Sequence, residues 1–294
     1  MPESTTTLRG RTLVVSGASR GIGLAIAVGA AREGANVVLL AKTAEPHPRL
    51  PGTVYTAVED IEAAGGQAVA VVGDVRREED VQRAVDAAVQ RFGGVDICVN
   101  NASAIATDDT ETLSAKKYDL MLDINCRGTF LLTKACLPHL RKSTNGHILT
   151  IAPPLNLNPY WLGIHPTYTL SKYGMTLLTL GWAQEFRRTD DRTGIAANCL
   201  WPQTYIATSA VTNLAGGGEL AQSSRSPEIM ADAAVAILKS SAGELTGQTL
   251  IDADVLTDSG VTDLSRYGGG ESPILDLFLD TAEEQRTFPP AAPV

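Results

Sequence analysis

Tyr168 and Lys172 have the residue types and the spacing of an acid–base pair. Side chains four residues apart lie on the same face of an α-helix. A cation beside a phenol stabilises the phenolate and lowers the pKa of the phenol from about 10. A tyrosine tuned in this way gives a proton to a carbonyl oxygen or takes one from an alcohol. The same spacing arises by chance on exposed helices, so the interpretation depends on the rest of the chain.

Residues 17–23 form a glycine-rich turn between a predicted strand and a predicted helix. The preceding run Leu13-Val14-Val15-Ser16 is typical of a buried parallel strand. The free N–H groups at a helix N-terminus bind a pyrophosphate, and glycines let the backbone come close to it. We therefore predict a nucleotide site whose phosphate contacts come from Gly17, Ala18, Ser19, Arg20, Gly21, Ile22 and Gly23.

Strand-like apolar runs alternate with helical patterns along the chain. Further runs cover residues 36–41, 68–73, 95–99, 147–152, 195–200 and 249–251, and residues 78–92 and 114–140 have helical spacing. This alternation predicts an α/β fold with a doubly wound parallel sheet of the Rossmann type, about seven strands and helices on both faces. We expect a single domain over residues 1–294, with a core at about 8–256 and a C-terminal extension at 257–294.

Two segments depart from the alternation. Residues 43–52 contain Pro46, Pro48 and Pro51 and should form an ordered loop rather than a helix. The chain loses its periodicity from about Thr257, where residues 268–270 are all glycine and residues 274–279 form a short apolar patch. The patch either docks on the body of the protein or on a second subunit, or belongs to a loosely attached tail.

Four motifs resemble those of the short-chain dehydrogenase/reductase family over nearly the whole chain. They are Gly-x-x-x-Gly-x-Gly at residues 17–23, Asn100-Asn101-Ala102-Ser103, Asn125 and the Tyr168-x-x-x-Lys172 pair. The resemblance implies that Tyr168, Lys172 and Asn125 are catalytic and that Asn101, Tyr168 and Lys172 contact the cofactor. Lys172 would lower the pKa of Tyr168 and bind the nicotinamide ribose, while Asn125 would hold a water against Lys172. Alternatively, Asn125 is a mid-helix polar residue that satisfies backbone groups.

Three stretches also resemble the hydroxysteroid dehydrogenase-like protein 2 group within this family. They are residues 41–48, residues 153–159 and Leu200-Trp201-Pro202. Animal members of that group carry an additional sterol-carrier-like domain, for which 294 residues are too few. The resemblance suggests lipid-related chemistry.

The end of the second strand favours NADP over NAD. Family members that use NAD generally have an acidic residue there, which accepts hydrogen bonds from the ribose 2′-hydroxyl. This chain has Lys42 instead, and Arg20 can approach a 2′-phosphate from the other side, although either residue alone is also an ordinary surface charge. Asp74 matches the family position that hydrogen-bonds the adenine. It could also cap the following helix, and the two roles can coexist.

The serine of the family's catalytic set is absent. The family has it in a Ser-Ser pair near the end of the fifth strand, where this chain has Ala152 and Pro153. Neither side chain donates a hydrogen bond to a substrate oxygen, and losing such a donor commonly costs on the order of 10²–10³ in rate. Asn156, Asn158 or a bound water are the candidates for replacing it.

Composition excludes several other functions. The net charge of −9 argues against nucleic acid and anionic membranes as partners. No apolar stretch approaches the roughly 20 residues that span a bilayer, and the N-terminus lacks the form of a secretion signal, which favours a cytoplasmic protein. The cysteines are scattered without metal-ligand spacing, so we expect reduced thiols and no metal site.

The sequence therefore predicts an NADP-dependent oxidoreductase that transfers a hydride between the nicotinamide and a carbonyl or alcohol on an apolar, lipid-like substrate. The pocket should involve residues 153–166, including Trp161 and His165, and the segment after Pro202. The alternative is a catalytically weak NADP-binding protein with a sensing or assembly role. The resemblance further implies a homodimer or homotetramer that pairs through residues 114–140 and 166–188.

Overall fold

The computed structural model describes residues 7–47, 50–188, 194–212, 217–271 and 273–280. Within these ranges, seven parallel strands form one sheet in the order β3-β2-β1-β4-β5-β6-β7. The strands are β1 Thr12–Ser16, β2 Asn36–Ala41, β3 Gln67–Val72, β4 Ile97–Asn100, β5 Gly146–Ile151, β6 Ile195–Trp201 and β7 Thr249–Ile251. The predicted doubly wound sheet is confirmed, and each predicted strand lies within two residues of its observed bounds.

Helices connect the strands and cover both faces of the sheet. They are α1 Gly21–Arg32, α2 Val54–Ala63, α3 Glu78–Phe92, α4 Ala115–Met121, α5 Thr129–Leu140, α6 Pro159–Ile164, α7 Pro166–Arg188, α8 Ser209–Thr212, α9 Gly217–Gln222, α10 Glu228–Leu238 and α11 Asp252–Asp258. A single 3₁₀ turn, Ser265–Tyr267, follows α11. No helix within the described ranges is both long and apolar enough to cross a membrane.

The alternation of side chains along the central strands divides the core into two layers. Val15 and Leu39 pack in a cluster that includes α1 and α10, whereas their neighbours Val14 and Leu40 pack in a second cluster with α3 and α5. Successive side chains of a strand point to opposite faces, so the two clusters lie on opposite sides of the sheet. Burial on both faces explains why these strands read as continuous apolar runs.

The helix predicted over residues 114–140 is interrupted. A π-helical segment, Leu122–Gly128, separates α4 from α5. Its last residue packs against the loop after β3, because a Cβ on Gly128 would lie 2.8 Å from the Val75 side chain. Widened turns of this kind are frequent at functional sites, and this one contains Asn125.

The apolar patch at residues 274–279 docks on the body of the protein. Leu275 forms an isolated bridge with Thr204, and Phe278 is only 2% exposed. Of the open alternatives, docking on the body is therefore the one observed for residues 273–280. The remaining C-terminal residues lie outside the described ranges.

Candidate active site

A cavity of about 910 Å³ lies at the carboxyl ends of the strands. The strand order reverses between β1 and β4, and ligands of open α/β sheets bind in the crevice at such a point. Residues at or just after the ends of six strands line the cavity: Gly17, Lys42, Asp74, Asn101, Ile151 and Trp201. The fold thus brings the predicted phosphate turn and the predicted acid–base pair to one space.

The glycine turn is shaped by close contact with the end of β4. Gly17 has φ +68°, and a Cβ on it would lie 2.8 Å from the Cα of Ala102. The side chain of Asn101 donates hydrogen bonds to the carbonyls of Ser16 (3.0 Å) and Gly17 (3.1 Å). A side chain on Gly23 would clash with that same amide. Asn101, predicted to contact the cofactor, therefore holds the phosphate turn in shape.

Helix α1 follows the turn directly. Arg20 is its N-cap residue, and the Arg20 side chain makes no hydrogen bond with the first N–H groups of the helix. The guanidinium of Arg20 instead donates to the carbonyls of Pro51 (2.9 Å) and Gly52 (2.8 Å), which ties the loop after β2 to the glycine turn. Uncapped N–H groups at a helix N-terminus, together with the helix dipole, favour an anion there. Ser19, Arg20, Gly21 and Ile22 all line the cavity.

Lys42 and Asp74 form the far end of the cavity. The side chain of Lys42 is 57% exposed, and its ammonium lies 3.6 Å from the Asp74 carboxylate. Arg76 donates to Asp74 from Nε (3.0 Å) and from a terminal nitrogen (2.6 Å), and these bonds hold the pKa of the carboxyl at about 2. Asp74 does not cap α3, since the residue before α3 is Arg77. The sequence analysis did not predict that Arg76 binds the Asp74 carboxylate. The only available signal was an arginine two residues after the aspartate.

Asn125 links three elements from inside the π-helical segment. It is completely buried, its Oδ1 accepts the N–H of Ala104 (2.7 Å), and its Nδ2 donates to the carbonyl of Ala104 (3.0 Å) and to Oγ of Ser171 (2.9 Å). The side chain thus satisfies backbone groups of the loop after β4 and joins that loop to α7. These contacts correspond to the structural alternative for Asn125, while the water-holding role remains a prediction.

Lys172 is buried in the wall of the cavity on α7. Its Nζ donates to the carbonyl of Ile151 (2.7 Å) and lies 5.0 Å from the ring centroid of Trp201. Burial lowers the pKa of Lys172 to about 8, against the opposing effect of Asp276 and the nearby thiols Cys199 and Cys126. A pKa of about 8 keeps most of the population charged at neutral pH.

Tyr168, one helical turn earlier on α7, is 6% exposed and also lines the cavity. Its pKa lies above the usual range because burial disfavours the phenolate, with further contributions from Asp276 and Tyr205. The expected lowering by Lys172 is therefore wrong for this structure. Desolvation of the phenol is the largest cause of the rise, because burial favours the neutral form.

The predicted pocket is wrong for most of its first segment, because residues 153–164 and Pro166 do not line the cavity. His165 lines the cavity, and its buried Nδ1 has no hydrogen-bond partner among the described residues. Trp161 instead packs behind the wall, 5.9 Å from the ring of Phe278, and its Nε1 donates to Asp280 (2.6 Å). The segment after Pro202 contributes Tyr205, Ile206 and Val211, as expected.

The C-terminal segment supplies two cavity residues that sequence reasoning missed. Asp276 and Leu277 line the cavity beside Tyr168 and Lys172. The available signal was Asp276, a carboxylate within the otherwise apolar run 274–279 that docks on the body of the protein. Periodicity alone could not show which wall of the protein the run would join.

The two residues at the place of the family's serine, Ala152 and Pro153, lie outside the cavity. Ala152 is buried against Met175 and Cys199, and the carbonyl of Pro153 accepts a hydrogen bond from Thr176 (2.7 Å). Neither Ala152 nor Pro153 is among the described residues that line the cavity.

The two candidate asparagines hold the C-terminal segment instead. Nδ2 of Asn156 donates to the carbonyl of Phe278 (3.1 Å). Asn158 caps α6 through the N–H of Tyr160 (3.0 Å) and donates to Asp280 (3.3 Å). The structure therefore places both amides in the support of the segment rather than at the substrate.

Comparison with known proteins agrees with this geometry. The model of the short chain dehydrogenase family matches residues 11–216. The chain belongs to the short-chain dehydrogenase family. It is a dehydrogenase that acts on CH–OH and C=O groups with a nicotinamide cofactor, NAD or NADP.

Hydroxysteroid dehydrogenase-like protein 2 of Danio rerio is 52% identical over 286 residues, which are 97% of this chain and 67% of that protein. The crystal structure of a short chain dehydrogenase from Mycobacterium thermoresistibile is also 52% identical, has a TM-score of 0.87, and is matched over 94% of this chain and 97% of that one. The narrower resemblance to the hydroxysteroid dehydrogenase-like protein 2 group is thereby confirmed.

More distant relatives of known structure include both cofactors. A metagenomic short-chain oxidoreductase in complex with NADP is 25% identical with a TM-score of 0.67, over 83% of this chain and 97% of that one. The NADH-dependent reductase A1-R′, in complex with NAD, is 27% identical with a TM-score of 0.66, over 83% and 95%. The shared fold thus accommodates either cofactor, and the choice depends on local residues.

Proposed function

We propose that this dehydrogenase uses NADP to interconvert a carbonyl and an alcohol on an apolar, lipid-like substrate, with Tyr168 as the acid–base residue. The observation that carries the proposal is one cavity that joins the glycine turn, Lys42, Tyr168 and Lys172. The tyrosine and the lysine are both buried there, which an accidental surface pair would not be.

The charges at the end of β2 support NADP. Lys42 is the cavity residue at the position where an acidic residue would bind the 2′-hydroxyl of NAD. Its only salt bridge among the described residues is the 3.6 Å contact with Asp74, a carboxylate already held by Arg76. The exposed ammonium is thus available to a 2′-phosphate. Arg20 uses two nitrogens on backbone carbonyls, so we assign it mainly to positioning the loop.

The protonation states support Tyr168 as an acid. When bound, the reduced nicotinamide supplies a hydride to the carbonyl carbon. The raised pKa of Tyr168 keeps the phenol protonated at neutral pH, which is the state that gives a proton to the carbonyl oxygen. The charged form of Lys172 then stabilises the phenolate that remains, and a water held near Asn125 would return the proton.

Apolar side chains around Tyr168 support a lipid-like substrate. They include Ile105, Ile151, Trp201, Ile206 and Leu277. A mostly apolar pocket with a few polar groups orients a substrate by its polar end and binds the rest by burial. The carbonyl or alcohol would be that polar end.

We further propose that the protein is a homodimer or homotetramer that pairs through α5 and α7. Large apolar side chains on these helices are exposed, namely Phe130 (43%), Leu170 (54%) and Leu177 (59%). Apolar groups exposed on neighbouring helices favour burial against another subunit.

A turnover screen tests the proposal. Purified protein is assayed with NADPH and with NADH against a panel of apolar ketones and aldehydes, beside Tyr168→Phe and the matched surface variant Tyr55→Phe. We expect faster turnover with NADPH, and a loss of about 10²–10⁴ in kcat for Tyr168→Phe, because general acid catalysis contributes that much. Tyr55 is 54% exposed on α2, so its variant should match the wild type.

Equal low rates for wild type and Tyr168→Phe on every substrate would refute the enzymatic role of Tyr168. Tight NADPH binding without turnover would then favour the sensing or assembly role. Equal affinity for NADH and NADPH would refute the cofactor preference.

A further inference from the structure

The C-terminal segment reaches the catalytic cavity through a defined path. Gly268, Gly269 and Gly270 have φ values of +79°, +93° and +64°, which only glycine adopts readily, and they turn the chain back towards the sheet. The segment then pairs with the loop after β6. The carbonyl of Ile274 accepts the N–H of Tyr205 (3.1 Å), and the N–H of Asp276 donates to the carbonyl of Gln203 (3.0 Å).

Phe278 anchors this segment beside Asp276. Its ring lies within 5.2–6.1 Å of the rings of four aromatic residues, Trp161, Tyr168, Tyr173 and Trp201. Its φ of +71° is the only positive value of a non-glycine residue in the described ranges. A bulky residue keeps such a conformation only where surrounding contacts enforce it, and these conformations cluster at functional sites. Nε1 of Trp201 also donates to the carbonyl of Leu277 (3.0 Å).

Asp276 is thereby held with its carboxyl group at the catalytic end of the cavity. Its Oδ1 accepts the N–H of Leu277 (2.7 Å), and within the described ranges Oδ2 makes no hydrogen bond. The side chain is partly buried, and it shares the cavity wall with Tyr168 and Lys172. One carboxyl oxygen is thus free to contact a ligand.

We propose that Asp276 is a catalytic residue that hydrogen-bonds the substrate oxygen beside Tyr168. Asp276 would supply the hydrogen bond to the substrate oxygen that the family's serine donates. This chain has Ala152 and Pro153 in place of that serine, and both lie outside the cavity. The inference rests on the proposed function, because it assumes a carbonyl or alcohol at Tyr168. In the reductive direction the protonated carboxyl group donates its O–H to the carbonyl oxygen. Tyr168 gives its proton to that oxygen, hydride from the bound cofactor would reach the carbonyl carbon, and Asp276 keeps its own proton throughout.

The surroundings of Asp276 favour the protonated form that this role needs. Enclosure by the protein raises the pKa of Asp276 to about 7, and the carboxylate of Asp252 adds to the rise. Lys172 opposes it, and the other titratable groups facing Asp276 are the phenols of Tyr168 and Tyr205. Both phenols have pKa values raised above the ordinary one, so near neutrality they present no charge to Asp276.

Kinetic variants test the contact. Asp276→Leu removes the hydrogen bond, whereas Asp276→Asn keeps a donor of the same shape that does not titrate. With the best ketone of the turnover screen and NADPH, we expect kcat/KM to fall about 100-fold for Asp276→Leu and less than about tenfold for Asp276→Asn. The wild-type kcat/KM should fall as the pH rises through about 7. Asp276→Asn should lack this step and retain only the titration of Lys172, whose pKa falls further once the carboxylate of Asp276 no longer raises it.

Two matched variants show whether the kinetic effects come from Asp276 itself. One tests for a general effect on the folded segment, and the other tests another residue of the cavity. Asp280 lies in the same segment but bonds Trp161 and Asn158 instead of lining the cavity, so Asp280→Asn should keep the wild-type pH profile. His165 also lines the cavity, and its Nδ1 has no hydrogen-bond partner among the described residues, so His165→Gln is the second matched variant. The proposal is overturned if Asp276→Leu matches the wild type, or if His165→Gln rather than Asp276→Asn removes the step.

A spectroscopic measurement tests the contact between Asp276 and the substrate oxygen even in the absence of turnover. Aspartate is labelled with ¹³C at the side-chain carboxyl, and the Asp276 resonance is identified by its absence in Asp276→Asn. We expect this resonance to titrate near neutrality and to shift when cyclohexanone is added at pH 6. No response to cyclohexanone would overturn the proposal. A response without Tyr168-dependent turnover would support the Asp276 contact while refuting the proposed function.

Discussion

At the scale of single residues, the proposed preference for NADP depends on the charges around Lys42. Arg76 holds the Asp74 carboxylate in charge-assisted hydrogen bonds of 2.6–3.0 Å, so Asp74 does not need Lys42 as its principal partner. The Lys42 side chain keeps more than half of its surface in solvent, and its ammonium lies 3.6 Å from that carboxylate. The exposure of the Lys42 side chain supports the proposed contact with a 2′-phosphate, since Asp74 keeps Arg76 as its partner.

Replacing this cation should affect one cofactor only. We expect Lys42→Met to raise the Kd of NADPH about tenfold, because a charge-assisted hydrogen bond at an exposed site contributes about 1.5 kcal/mol. The Kd of NADH should change by less than about twofold. Isothermal titration calorimetry with both cofactors measures this, with Lys116→Met on the exposed face of α4 as control. An equal loss for both cofactors would show that Lys42 does not distinguish them.

At the scale of elements, strand β5 carries a buried titratable group, His147, near the end of the strand opposite the cavity. His147 is 1% exposed, and its Nε2 lies 3.2 Å from the carbonyl of Ser240, just beyond the end of α10. Burial lowers the pKa of His147 to about 3, with a smaller contribution from the positive charge of Arg11. The folded protein therefore holds this ring neutral, while the unfolded chain protonates it at the ordinary pKa of about 6.5.

This difference makes the stability depend on pH. The contribution of His147 is fully present above pH 6.5 and is lost as the pH falls towards 3, because only the unfolded state takes up the proton. Between pH 7 and pH 4 the loss is of the order of 3 kcal/mol in the free energy of unfolding. Urea unfolding at several pH values should show a shallower acid decline for His147→Gln than for wild type. His139→Gln on α5 is the control, and equal slopes for His147→Gln and wild type would contradict the assignment.

At the scale of the whole molecule, the last described segment completes the cavity from outside the repeating strand–helix pattern. Phe278 fills the space between α7, α6 and the end of β6, and hydrogen bonds from Asn156 and Trp201 fix the backbone around it. The segment thus forms part of the cavity wall from residues that follow the last strand of the sheet. The segment is joined to the loop after β6 by an isolated β-bridge and is not a strand of the sheet, so we expect it to open before the sheet unfolds.

Removing the anchor should therefore release the segment and spare the sheet. We expect Phe278→Ala to weaken docking by about 3 kcal/mol, the lower range for truncating a buried phenylalanine. Hydrogen exchange of the amides of residues 274–280 should accelerate about 100-fold, while β1 and β4 keep their protection. Ile274→Ala, in the same segment but 46% exposed, should leave exchange nearly unchanged. Uniform acceleration throughout the sheet would show that the segment and the core unfold together.

The sequence by itself determined the fold, the family and the cavity's two ends, since these depend on local spacing. The glycine turn, the strand runs and the Tyr168–Lys172 pair are short patterns that each element imposes on its own residues. Tertiary structure decided the rest. It set the direction of the pKa of Tyr168, because the burial that raises this pKa comes from residues distant in the sequence. It also placed Asp276 beside the pair, because only the docking of Phe278 among distant aromatic rings brings that carboxyl group to the cavity.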